Sequence, residues 1–218
     1  SELIQDQRIP TIDSIRNYFV THASGVQVIC APSSPEYSEG INTVQIEPII
    51  NILRAHFDYV IIDTASNFSE INLLMLELSS RILFVTGLDI SVLHNSKKGM
   101  LLLDSLNLKN KISLVVSKDF KGDISVFDVE KILGNNVEYK FPNDLVEAVK
   151  ALNQGVPIIS SGSKSGIVKE MLRLASVIGH TSISDSDKKS KKFELPKLNF
   201  GGKSRWVAYK KGLRKLVH

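Results

Sequence analysis

The 218-residue sequence contains a single cysteine, Cys30. That excludes a disulfide framework and any multi-cysteine zinc site. Its apolar neighbours mark Cys30 as a small buried thiol. Long hydrophobic runs are also missing: a membrane-spanning helix needs ~18 or more apolar residues in a row, and none occurs. The N-terminal SELIQDQRIP lacks the basic start and apolar core of a signal peptide, so a cytoplasmic chain is expected. The histidines His22, His56, His94, His180 and His218 never fall at metal-binding spacings such as HExxH. There is no GxSxG nucleophile elbow. No GxxxxGK[ST] phosphate loop exists either, so this chain alone is not expected to hydrolyse ATP.

What is present is globular. Hydrophobic residues make up 43% and charged residues 23%, enough to bury a core without staples. The length suits one α/β domain with or without a tail. The net charge of +4 conceals a division. Lys188–His218 carries +10, and residues 1–187 carry −6. A mildly acidic domain with a strongly basic tail suggests an anionic partner for the tail.

Five apolar runs read as strands: Val26–Ala31, Tyr59–Asp63, Arg81–Thr86, Ile112–Ser117 and Val137–Phe141. Four are nearly continuous in Val, Ile, Leu and Phe. That pattern belongs to parallel strands covered on both faces. Between them, helical spacing covers Thr11–His22, Gly40–Phe57, Asn67–Ser79, Ser91–Leu106, Ser125–Leu133, Asn143–Asn153 and Ser165–Ile178. Strands alternating with helices imply βαβ units in a mostly parallel, doubly wound sheet. Composition breaks at Gly179, which sets a domain at 1–179 and a linker with a basic tail at 180–218.

Phe57–Thr64 (FDYVIIDT) is the most informative stretch. An apolar strand ends in Asp63, followed by a hydroxyl residue. Ligands of parallel sheets gather at the carboxyl ends of strands, and a carboxylate there can hold the water shell of Mg²⁺ on a nucleotide. Capping of the next turn is the other reading of the same aspartate.

Three segments in order add context: Gly25–Glu36 (GVQVICAPSSPE), FDYVIIDT, and Phe141–Ile158 (FPNDLVEAVKALNQGVPI). Over residues 8–178 the chain resembles the C-terminal two-thirds of the MinD/ParA superfamily of deviant Walker ATPases. Within it, the CpaE/TadZ pilus-assembly branch is the most similar. The resemblance implies a P-loop-NTPase-like sheet lacking its N-terminal strand and phosphate loop, which in the family lie ahead of the matched region. It implies that Asp63 is the Walker B aspartate, reaching Mg²⁺ through water with no direct metal ligand. Thr64, Ala65, Ser66 and Asn67 would form the loop that answers to the γ-phosphate. Ser117 and Lys118 would lie beside the adenine, and Pro142, Asn143 and Asp144 would border the base. The family's Asp-x-Pro reads Asp63-Thr64-Ala65 here, and its Asn-Arg pair reads Ser117-Lys118, which counts against fast hydrolysis. ATP and Mg²⁺ are the implied cofactors and a homodimer the implied assembly.

The tail is the second signal. On a helical wheel Trp206, Tyr209, Leu213 and Leu216 share one arc, and Lys210, Lys211 and Arg214 cover much of the rest. That is the pattern of a helix in an anionic membrane interface. A solvated tail, a helix docked on a partner protein, and a less favoured contact with nucleic acid stay open.

Three functions follow from the sequence. One is a nucleotide-dependent positioning or scaffold protein of the CpaE/TadZ type, serving pilus or secretion assembly proteins. Another is a MinD/ParA-type partition or septum-site ATPase with a membrane- or DNA-binding tail. The last is a nucleotide-free α/β interaction module. The expected location is the cytoplasm, with peripheral attachment at the inner face of the cell membrane where the tail binds lipid.

Overall fold

The computed structural model describes residues 10–30, 41–119, 122–179 and the backbone of 206–210. The helices are α1 (Ile12–Arg16), α2 (Thr43–His56), α3 (Glu70–Leu78), α4 (Ile90–Ser105), α5 (Val126–Leu133), α6 (Leu145–Asn153) and α7 (Gly166–Ile178). The strands are β1 (Phe19–Thr21), β2 (Gln27–Cys30), β3 (Tyr59–Asp63), β4 (Ile82–Thr86), β5 (Ile112–Asp119), β6 (Val137–Pro142) and β7 (Trp206–Lys210). The chain divides into two compact units, Ser1–Ser79 with Gly201–His218, and Ser80–Phe200.

In the first unit the strand order is β1-β2-β7-β3. Among the described residues only the β1–β2 pair is antiparallel; β7 runs parallel to both its neighbours. The core gathers Ile15, Ile29, Ile46, Ile49, Ile50, Leu53 and Met75. Ile46, Ile49, Ile50 and Leu53 recur at helical spacing on α2, whose start is fixed by a capping box between Asn42 and Gln45. Phe19 and Phe57 meet edge to face, with centroids 5.5 Å apart.

Three expectations for this unit are corrected. Helical spacing over Thr11–His22 gives a helix only to Arg16. Phe19–Thr21 instead turns back through Gly25, at φ +87°, to pair with β2. An aromatic and β-branched run followed by a glycine turn favours a hairpin over a continued helix. Cys30 is exposed, not buried, because alternation along β2 sends Ile29 inward and Cys30 outward. Trp206, Tyr209 and Lys210 belong to a strand, not to an amphipathic helix. The backbone of this Trp-Val-Ala-Tyr segment fills the place between β2 and β3, where both its edges find partners. Lys211, Leu213, Arg214 and Leu216 lie outside the described residues.

The second unit carries the parallel sheet β4-β5-β6. β5 is its centre, and Leu114 and Val116 are wholly buried. Leu93, Met100 and Leu103 of α4, and Val129 and Leu133 of α5, are buried too. β5 therefore meets the expectation of a strand covered on both faces. β3 and β4 do not. Each ends its own sheet among the described residues, and Ile61, Leu83 and Val85 stand exposed.

α7 is tied to β6 by a small charged network. Arg173 binds the Glu170 carboxylate through Nε and Nη2, donates to the backbone oxygen of Glu138 at 2.6 Å, and lies 4.6 Å from the Tyr139 ring centre. The Lys140 N–H adds a bond to Glu170 at 3.3 Å. Hydrogen bonding from Arg173 holds the Glu170 carboxyl below its ordinary value of 4.5. A lowered folded-state value gives stability that is present above the unfolded value and lost as pH falls through the folded one. Glu170→Gln is therefore expected to lower the melting temperature at pH 7. The gap to the parent should close as pH drops below the ordinary 4.5, which melting curves across pH will show.

Candidate functional site

β3 ends in Asp63 because the apolar run Val60–Ile62 fills the pleat and the next residues are polar and small. The Asp63 side chain is exposed at the carboxyl end of its strand. Backbone register aligns Asp63 with Lys210 of β7, and Lys210 with Cys30 of β2. Three parallel strands thus finish on one rim.

The loop after Asp63 is not free. Asn72, on the first turn of α3, is buried beside Met75 of the same helix. Its Nδ2 lies 2.8 Å from the Asn67 backbone oxygen, 2.7 Å from Asn67 Oδ1 and 3.2 Å from the Ala65 oxygen. Two hydrogens thus serve three acceptors. Asn67 Oδ1 also receives the Ser69 N–H, and Ser69 Oγ caps α3 by accepting from the Asn72 N–H. Thr64, Ser66 and Asn67 stay exposed while the backbone between them is stapled to the helix. Sequence reasoning missed Asn72. The available signal was one polar amide set among Ile71, Leu73, Leu74 and Met75.

Asn72→Leu keeps the branched shape and removes the donors. We expect a loss of about 1–3 kcal/mol from the orphaned oxygens. Faster amide exchange over residues 64–69, alongside a lower urea midpoint, would show it.

The second unit brings the other predicted residues together. β5 and β6 lose register between Val116 and Asp119, and Asp119 pairs with Pro142. The Asn143 N–H donates to the Asp119 oxygen at 2.9 Å. Ser117, Lys118, Pro142, Asn143 and Asp144 therefore share one carboxyl rim. Lys118 is exposed at φ +57°, in the left-handed region that costs an L-residue roughly 1 kcal/mol. Asp144 caps α6 by accepting from the Glu147 N–H. Gly166 opens α7 directly beneath Pro142; a Cβ there would come within 2.7 Å of the proline ring. The absence of that side chain sets how closely the Pro142–Asp144 turn lies on α7. Behind this rim Thr86 Oγ1 and Ser96 Oγ form a buried hydrogen bond of 2.8 Å, joining β4 to α4.

The oxygens of Asp63 and Thr64 suit Mg²⁺, which prefers hard donors and keeps several waters. Among the described residues no group of three or more His, Cys, Asp or Glu side chains could hold a metal ion. Asp63 thus offers a single carboxylate at the rim, not a cage. No helix among them is long and apolar enough to cross a membrane.

Neither a family model nor a curated protein sequence matches this chain. Solved structures do. A ParA family ATPase from Chlorobium tepidum superposes with a TM-score of 0.72 at 17% identity, over 76% of this chain and 69% of its own. The fold is that of the ParA and MinD ATPases. MinD from Aquifex aeolicus, in a MinC:MinD complex, gives a TM-score of 0.63 at 18% identity, over 84% of this chain and 78% of its own. MinD from Pyrococcus horikoshii, complexed with Mg-ADP, gives 0.64 at 16% identity, over 81% and 76%. The ParA/MinD fold explains the parallel strands and their shared carboxyl rims.

Proposed function

We propose that this chain is part of a nucleotide-dependent positioning or scaffold protein, switched by Mg-ATP and by dimerisation. One observation carries the reading: an exposed aspartate closes a parallel strand, and the loop that follows is stapled by a buried asparagine. Such a loop has a defined resting state, and contacts to a terminal phosphate can displace it. Asp63 would hold the metal's water shell, Thr64–Asn67 would respond to the γ-phosphate, and Ser117, Lys118 and Pro142–Asp144 would flank the base. Bound Mg²⁺ would neutralise phosphate charge. Within the fold, the order of the segments around Cys30, Asp63 and Pro142 favours the CpaE/TadZ branch and a role in pilus or secretion apparatus assembly. The protein would then work in the cytoplasm, at the inner face of the membrane when recruited there.

The MinD and ParA likeness supports a second reading equally, a partition or septum-site ATPase. Turnover separates them. With the product of the complete native gene, a fluorescent ATP analogue should bind in the presence of Mg²⁺. Slow or no phosphate release would favour the scaffold, and sustained release the partition ATPase. No binding at millimolar nucleotide would leave the nucleotide-free module.

A further inference from the structure

α6 turns the wrong way for a helix of a closed domain. At about 100° per residue, Leu145, Val146, Val149, Leu152 and Asn153 fall within an arc of about 120°. Ala151, its one buried residue, lies nearly opposite. The exposures confirm the direction: Leu145 is 63% exposed, Val146 77%, Val149 41% and Leu152 75%. Val156, just past the helix, is exposed as well. Leu145, Val146 and Val149 line a shallow groove with Lys150, Asn153 and Gln154. The arc holds no charged residue, so nothing on it selects a partner of opposite sign.

From this stripe we infer that α6 is a self-association surface, occupied by α6 of a second copy of this chain. The stripe closes on itself. With a two-fold axis beside Val149, two antiparallel helices set Leu145 against the partner's Leu152 and Leu152 against the partner's Leu145. Lys150 remains at the flank, free to reach water. The exposed apolar area is on the order of 500 Å² per copy, at the upper end of what monomers leave bare. Two such patches bury on the order of 1,000 Å², the threshold for specific association. A dimer of that size is weak and concentration-dependent. It requires no nucleotide and is thus independent of the proposed switch.

The test is sedimentation of the full chain in EDTA without nucleotide, over about two decades of protein concentration. The parent should shift from monomer toward dimer. Leu152→Glu should raise the dimer dissociation constant tenfold or more with unchanged circular dichroism, since the side chain is solvent-facing. In a Cys30→Ser background, Val149→Cys should be joined to itself by a short bismaleimide, and adding Leu152→Glu should abolish that product. A parent that stays monomeric, a dimer indifferent to Leu152→Glu, or an absent Val149→Cys product would each overturn the inference. Nucleotide-driven association is read in separate runs with Mg-ATP, so the two proposals fail independently.

Discussion

Asp63→Ala is expected to weaken Mg-dependent ATP binding roughly ten- to a hundredfold in the product of the complete native gene. A charge-assisted hydrogen bond is worth about 1.5–3 kcal/mol, and 1.4 kcal/mol is about tenfold in affinity. The effect should disappear in EDTA, because the carboxylate is proposed to act through the metal's water shell. Calorimetric titration with and without Mg²⁺ gives both numbers. Asp63 is exposed and makes no core contact that its loss would empty, so melting should change little. Unchanged affinity would remove Asp63 from the site; a collapsed melting temperature would make it a structural residue.

Leu114→Ala is expected to have the largest effect on stability. Leu114 is wholly buried in the middle of β5, which has a strand on each side. Truncation there loses the transfer energy of the side chain and leaves a cavity that a central strand cannot collapse to fill. Together these cost about 2–5 kcal/mol. Chemical denaturation should show a lower midpoint with an unchanged slope. A loss below about 1 kcal/mol would mean that the strand has room to repack.

The contrast between Leu114 and Ile61 shows what the sequence can and cannot tell. Both lie in continuous apolar runs, and the runs predict strands correctly. Continuity does not say which strand ends a sheet, because that depends on partners elsewhere in the chain. Six of the seven expected helices fall within three residues of their expected bounds, where apolar spacing and caps such as Asn42, Asp89 and Ser125 agree. Phe19–Thr21 and Trp206–Lys210 were misread for one reason: short segments with aromatic and β-branched residues fit a helical wheel by chance, and only an open strand edge decides between the two forms. At the candidate site Asp63 is legible because a carboxylate ending an apolar strand is a local pattern. The staple from Asn72 is not, because its meaning depends on carbonyls five and seven residues away that turn back toward it.

The arrangement of the first sheet also bears on how the protein is made. Residues 63 and 210 are register partners, so β2 and β3 leave the ribosome long before the strand that separates them. At ~5–20 residues per second, synthesis of the intervening segment takes on the order of ten seconds. For that interval two parallel strand edges stand open on the nascent chain, while the second unit, β4 to α7, has its own strands in sequence and is free to fold. A chaperone that shields bare strand edges, or a slow stretch of codons before residue 206, would then act on yield and not on the finished fold.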